Sequence, residues 1–124
     1  MNKIILDKGV KEIVIVEDSI CNISKDLYIN DLSIEIKDNV KFIINHYSEL
    51  NNKLNIKILQ NNNSEFIYNH SFINRDVYDL KINIDMIGNN SKNIINIHGI
   101  SDSGVTNIVV DGTVKRDASD NLLD

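Results

Sequence analysis

The chain has 124 residues, of which 42% are hydrophobic and 25% charged, with a formal net charge of −5. That length supports one domain with a modest core, and the apolar fraction argues against wholesale disorder. The acidic balance, with Lys residues scattered among Asp and Glu, gives no basic stripe for nucleic-acid phosphates or an anionic membrane surface.

Asn and Ile together supply roughly a third of the residues, far above ordinary usage. Part of that bias fits A/T-rich codons. The remainder is structural, since Ile favours pleated surfaces and Asn favours turns and left-handed backbone positions.

The opening "MNKIILDKG" has too short an apolar run for a signal peptide, and no later run reaches the ~20 apolar residues of a membrane helix. Cys21, the one cysteine, excludes an internal disulfide framework and points to a reducing, cytoplasmic setting. Set in "DSICNIS", it reads as a small buried hydrophobe, with no neighbouring cation to favour the thiolate.

Period-two alternation then dominates. Leu27 and Ile29, followed by Leu32, Ile34 and Ile36, open the pattern, and 40–44, 53–59, 79–87 and 105–110 continue it. Leu80, Ile82, Ile84 and Met86 occupy one face of a half-buried strand, with Lys81, Asn83 and Asp85 on the other. Turn clusters fall at Asp7-Lys8-Gly9, Asp38-Asn39, Asn51-Asn52, Asn61-Asn62-Asn63, Gly88-Asn89-Asn90, Ser103-Gly104 and Asp111-Gly112. The segment from Asn45 to Asn52 reads as a helical turn or a long loop. Many short strands in one domain, 1–124, indicate an all-β fold: sandwich, barrel or solenoid. Gly88, Gly99 and Gly112 suggest an irregular coil repeat.

Chemistry-bearing residues are sparse. His46, His70 and His98 lie far apart in sequence, and no H-x-x-x-H, C-x-x-C or H-E-x-x-H spacing suggests a metal site. His70 in "FIYNHSFI" is expected to be packed and hydrogen-bonded, and His98 to flank a turn. No phosphate-binding glycine loop or nucleophile elbow occurs. Neither catalytic nor metal-ligating residues are assigned, and the chain is expected not to be an enzyme. The competing expectation is a small acidic carbohydrate-active or carbohydrate-binding module, for which an aromatic platform is thin, with four Tyr, three Phe and no Trp.

From Asp79 onward, "NIDMIGNNSKNIINIHGISDSGVTNIVVDGTVKRDASDNLLD" resembles the core domain of the SufB/SufD family of iron–sulfur cluster assembly scaffolds. The likeness lies in the order of elements. An alternating strand and polar turn lead to "HGISDSG", then a strand, the "DGTV" bend, and Ala118, Asp120 and Leu122-Leu123 at the family's small residue, polar stretch and leucine run. The resemblance covers the last third of the chain; the first 78 residues fit as generic β rungs. It implies a right-handed parallel β-helix, with β-sandwich as the alternative, and a scaffold role exercised through protein contacts. It also implies a SufC-type ATPase or another assembly protein as partner. The family's later proline-containing segment and C-terminal helices have no counterpart here, so the chain reads as a short or C-terminally truncated relative. No cluster-assembly residue is carried onto His98 or Cys21. No cofactor is expected in this chain, and an iron–sulfur cluster only in a larger complex. An uncapped last coil would expose apolar side chains, and Val105, Ile108 and Val110 are the expected interface of a homo-oligomer, with 115–124 as a partial cap.

Overall fold

A computed structural model describes residues 1–49, 53–115 and 118–124. The strands are β1 (Asn2–Ile4), β2 (Glu12–Ile15), β3 (Ser19–Ile23), β4 (Asp31–Ile36), β5 (Lys41–Glu49), β6 (Lys53–Gln60), β7 (Glu65–Asn74), β8 (Val77–Met86), β9 (Lys92–Ser101), β10 (Val105–Val114) and β11 (Leu122–Leu123). Odd-numbered strands form one sheet in the order β1-β3-β5-β7-β9-β11, and even-numbered strands form the other, β10-β8-β6-β4-β2. Every pairing is parallel. The chain therefore visits the two sheets alternately and stacks each coil on the one before: a parallel β-solenoid. Hairpin pairing, on which an antiparallel sandwich depends, is replaced throughout by coil-on-coil pairing. Among the described residues no helix is long and apolar enough to cross a membrane.

Alternation generates this arrangement directly. In β7 and β8 every second side chain is buried, and the buried sets of the two sheets face one another. Register then stacks like on like. Phe42 lies beside Phe66, Ile58 lies between Ile34 and Ile84, and Ile56 lies between Leu32 and Ile82. Each fully buried Ile, Leu or Phe contributes up to about 1.5–3 kcal/mol, and the core runs as one cluster through the coils.

The solenoid widens along its length. Asn2 pairs with Ser19, 17 residues on, whereas Lys41 pairs with Glu65, 24 on, and Lys92 with Leu122, 30 on. Strands lengthen in step, from 3 residues in β1 to 10 in β7 through β10.

One corner explains much of the Asn content. Asn39, Asn63, Asn90 and Asp120 all adopt positive φ, between 55° and 61°, which Asn and Asp tolerate better than most residues. Beside them, Asp38 Oδ1 accepts from Asn62 N–H (3.0 Å), Asn62 Oδ1 from Asn89 N–H (2.8 Å), and Asn89 Oδ1 from Ser119 N–H (2.8 Å). Each coil's carboxylate or amide thus holds the turn of the next.

Several expectations are corrected. Asn45–Glu49 is neither helix nor loop; it completes β5 with the burial pattern of a strand. Asp111-Gly112 makes no bend, because β10 runs unbroken through it, paired with Asn83 and Ile84. Gly99 and His98 lie inside β9, so His98 does not flank a turn. Gly99 sits where Phe72 of the preceding coil lays its ring across the strand, and a Cβ there would enter that ring. Gly112 similarly leaves room for Leu123, whose Cδ2 would stand 2.6 Å from a Cβ. These glycines mark close packing, and their intervals do not measure a coil. The expected turns at Asp38-Asn39 and Asn62-Asn63 are present. The expected turn at Asn51-Asn52 and the Arg116-Asp117 part of the cap lie outside the described residues.

Candidate interaction surface

Register, rather than any sequence motif, decides which polar groups meet. His46 of β5 is the direct partner of His70 in β7, and both face the core. Their rings stack with centres 4.3 Å apart. His46 Nδ1 is 2.8 Å from the Tyr68 hydroxyl, and His70 Nε2 is 2.8 Å from that of Tyr78. His70 Nδ1 lies 3.2 Å from the His46 carbonyl, which can only accept, so Nδ1 carries the proton and Nε2 accepts from Tyr78. Burial drives the His46 pKa down to about 3, helped by the neighbouring His70. It drives His70 down to about 4, partly opposed by the bond to the His46 carbonyl. Both imidazoles are neutral structural groups. The expectation that His70 is packed and hydrogen-bonded holds, and it extends to His46.

His98 belongs elsewhere. It points outward from β9 next to Ser71, on the opposite face of the sheet from the buried pair. Cys21 is fully buried, and burial raises its thiol pKa, away from the reactive thiolate. Among the described residues no group of three or more His, Cys, Asp or Glu is placed to hold a metal ion.

What the coils present outward is a set of ladders. On the odd-numbered sheet, Ile20, Ile43, Ile67 and Ile94 stand in register as one column, and Asn22, Asn45, Asn69 and Asn96 as the next. The amides chain together. Asn45 Nδ2 donates to Asn22 Oδ1 (3.0 Å), Asn69 Nδ2 to Asn45 Oδ1 (2.9 Å), and Asn96 Nδ2 to Asn69 Oδ1 (2.9 Å). Each amide keeps a second N–H for contacts beyond the sheet. Flanking the Ile column, Lys41, Glu65 and Lys92 stand in register with alternating charge, and Asp18, just before β3, sits beside Lys41 with its Oδ1 accepting from the Lys41 N–H (2.9 Å). The even-numbered sheet differs, its outer face carrying mixed charge such as Glu12, Lys57 and Asp111 in one column and Lys53 and Asp79 in another. A shallow groove there, bordered by Glu12, Glu35, Lys57 and Asp85, has Glu35 already engaged by Lys37 at 2.8 Å.

This face was missed in the sequence reading, although a signal for it exists. "DNVKFIINH", "NNSEFIYNH" and "NNSKNIINI" are one nine-residue pattern that begins at Asp38, Asn62 and Asn89. It places an inward residue between an outward Ile and an outward Asn in each coil.

A second surface lies at the wide end. Ile108 and Val110 continue the inward columns of Leu80 and Ile82, yet Ile108 is 45% exposed, because among the described residues nothing stacks on it. Ile95, Ile97 and Leu123 line the same opening. Of the three expected interface residues, Ile108 and Val110 share this mouth. Val105 pairs with Val77 on the outer face and does not join them.

Comparison with protein-family models, curated proteins and solved structures returns no match.

Proposed function

We propose that this chain is a non-catalytic scaffold that works through protein–protein contacts, and that its wide end is one contact. The supporting observation is the inward column of exposed Ile108 and half-buried Val110, beside the edge of the 10-residue β10, which no strand among the described residues covers. An unpaired parallel edge over apolar side chains accepts another strand readily. The occupant proposed is a second copy. Head-to-tail stacking would set β10 against the 4-residue β2, a poor match in length. Tail-to-tail stacking about a two-fold axis pairs β10 with its own equivalent, antiparallel and equal in length.

The resemblance to the SufB/SufD core supplies the wider setting of this proposal. The scaffold would serve iron–sulfur cluster assembly in a reducing cytoplasm, with a SufC-type ATPase or another assembly protein as partner. A cluster would belong to the larger complex and not to this chain.

Size-exclusion chromatography with light scattering tests the contact. Ile108→Lys should shift an otherwise associating chain toward monomer; association unchanged by that substitution rejects the wide end as the interface. Co-purification with a SufC-type ATPase tests the setting independently, and lack of binding by correctly folded protein would remove the assembly role.

A further inference from the structure

The outer face of the odd-numbered sheet lies on a different side of the solenoid from the wide end, and its charges carry their own instruction. Read from the narrow end, Asp18 stands beside Lys41 with one carboxylate oxygen on the Lys41 N–H (2.9 Å), and Lys41, Glu65 and Lys92 follow in register: negative, positive, negative, positive. Reversed, that order becomes positive, negative, positive, negative. A column with this property is complementary to its own inverted copy.

We propose that this face is a second self-association surface. It pairs with the same face of another copy about a two-fold axis that runs along the strand direction between β5 and β7. In that arrangement Lys41 meets Glu65 of the other copy, and Asp18 meets Lys92. The Ile columns fall on one another, Ile43 against Ile67 and Ile20 against Ile94, and Asn45 meets Asn69. Both copies share the strand spacing of ~4.8 Å, so a match at one coil repeats at every coil. The competing two-fold, along the solenoid axis, would set Glu65 and Lys92 against Ile73 and Ile100, leaving two charges facing apolar side chains, and would offer Lys41 only Glu49, already engaged by Lys25 (3.7 Å) and Tyr47 (2.7 Å). Charge therefore selects the first arrangement.

The area sets the strength. Nine residues at ~3.3 Å by four strands at ~4.8 Å give at most about 570 Å² per copy, short of the ~800 Å² per partner typical of stable complexes. The contact is accordingly reversible and weak, with a Kd of about tens to hundreds of micromolar. This inference does not depend on the wide-end contact, because the two surfaces share no residues.

Sedimentation equilibrium on the full chain tests it, with Ile108→Lys as background so that the wide end is silent. Glu65→Lys should weaken the remaining association about tenfold, since it turns two attractive contacts repulsive. Lys41→Glu should do the same, and Lys41→Glu with Glu65→Lys should restore it. All of these positions face outward, so thermal unfolding should change little and will report any loss of fold. Association that ignores Glu65→Lys, a double variant no tighter than the single ones, or a strictly monomeric background variant at millimolar concentration would each overturn the proposal.

Discussion

The imidazoles of His46 and His70 stack at 4.3 Å because one coil of the solenoid separates them and both face inward. Among the described residues no carboxylate is bonded to either ring. Their partners are the Tyr68 and Tyr78 hydroxyls and the His46 carbonyl. Two buried, uncharged histidines in contact make the core itself sensitive to acid.

The sign follows from where the protons go. In the folded chain these histidines titrate at about 3 and about 4, against 6.5 when unfolded. Above pH 6.5 both states are neutral and full stability is present. As pH falls below 6.5 the unfolded chain takes up protons that the folded chain refuses, and stability declines until the folded values are passed. At pH 5 the loss is about 2 kcal/mol per histidine, or about 4 kcal/mol together. Urea unfolding at pH 7.5 and pH 5 should show that drop; equal stabilities at the two values would mean that the pair is not buried as described.

Gly99 and Phe72 should prove coupled. Gly99→Ala drives a methyl group into the Phe72 ring and should cost about 1–3 kcal/mol. Combined with Phe72→Leu, the added penalty of the alanine should shrink. Strict additivity in a double-mutant cycle of chemical unfolding would show that the two positions do not meet.

The corner asparagines give two separable effects. Asn63→Gly keeps the positive φ accessible and should be close to neutral, whereas Asn63→Ala should cost about 1 kcal/mol or more. Asn89→Ala removes the acceptor for Ser119 N–H and should cost about 1 kcal/mol by a different route, which glycine at position 89 would not relieve. Thermal unfolding of the variants measures both.

Alternation made the core legible before any coordinates, because Leu80, Ile82, Ile84 and Met86 stand on one face of a strand whatever sheet it joins. Coil register is legible only where the nine-residue pattern at Asp38, Asn62 and Asn89 aligns β5, β7 and β9; elsewhere the offset drifts from 17 to 30 residues and leaves no fixed period to follow. Without register, His46 and His70 were two isolated histidines, and the Ile and Asn ladders were only composition. Gly99 and Gly112 misled because glycine most often marks turns, while here each makes room for a neighbouring coil's side chain. Asn45–Glu49 is hard to read as a strand because its inward positions include the polar residues His46 and Ser48, and only His46 finds its reason in the core, stacked on His70 and beside the Tyr68 hydroxyl.

Sedimentation velocity across a dilution series from about 10 to 500 micromolar tests the scaffold reading most directly. The wild-type chain should associate with rising concentration. Ile108→Lys and Glu65→Lys should each remove part of that rise, and the two together should leave a chain that is monomeric over most of the range, with association confined to its top end. A wild-type chain that stays monomeric over the whole range would contradict the account.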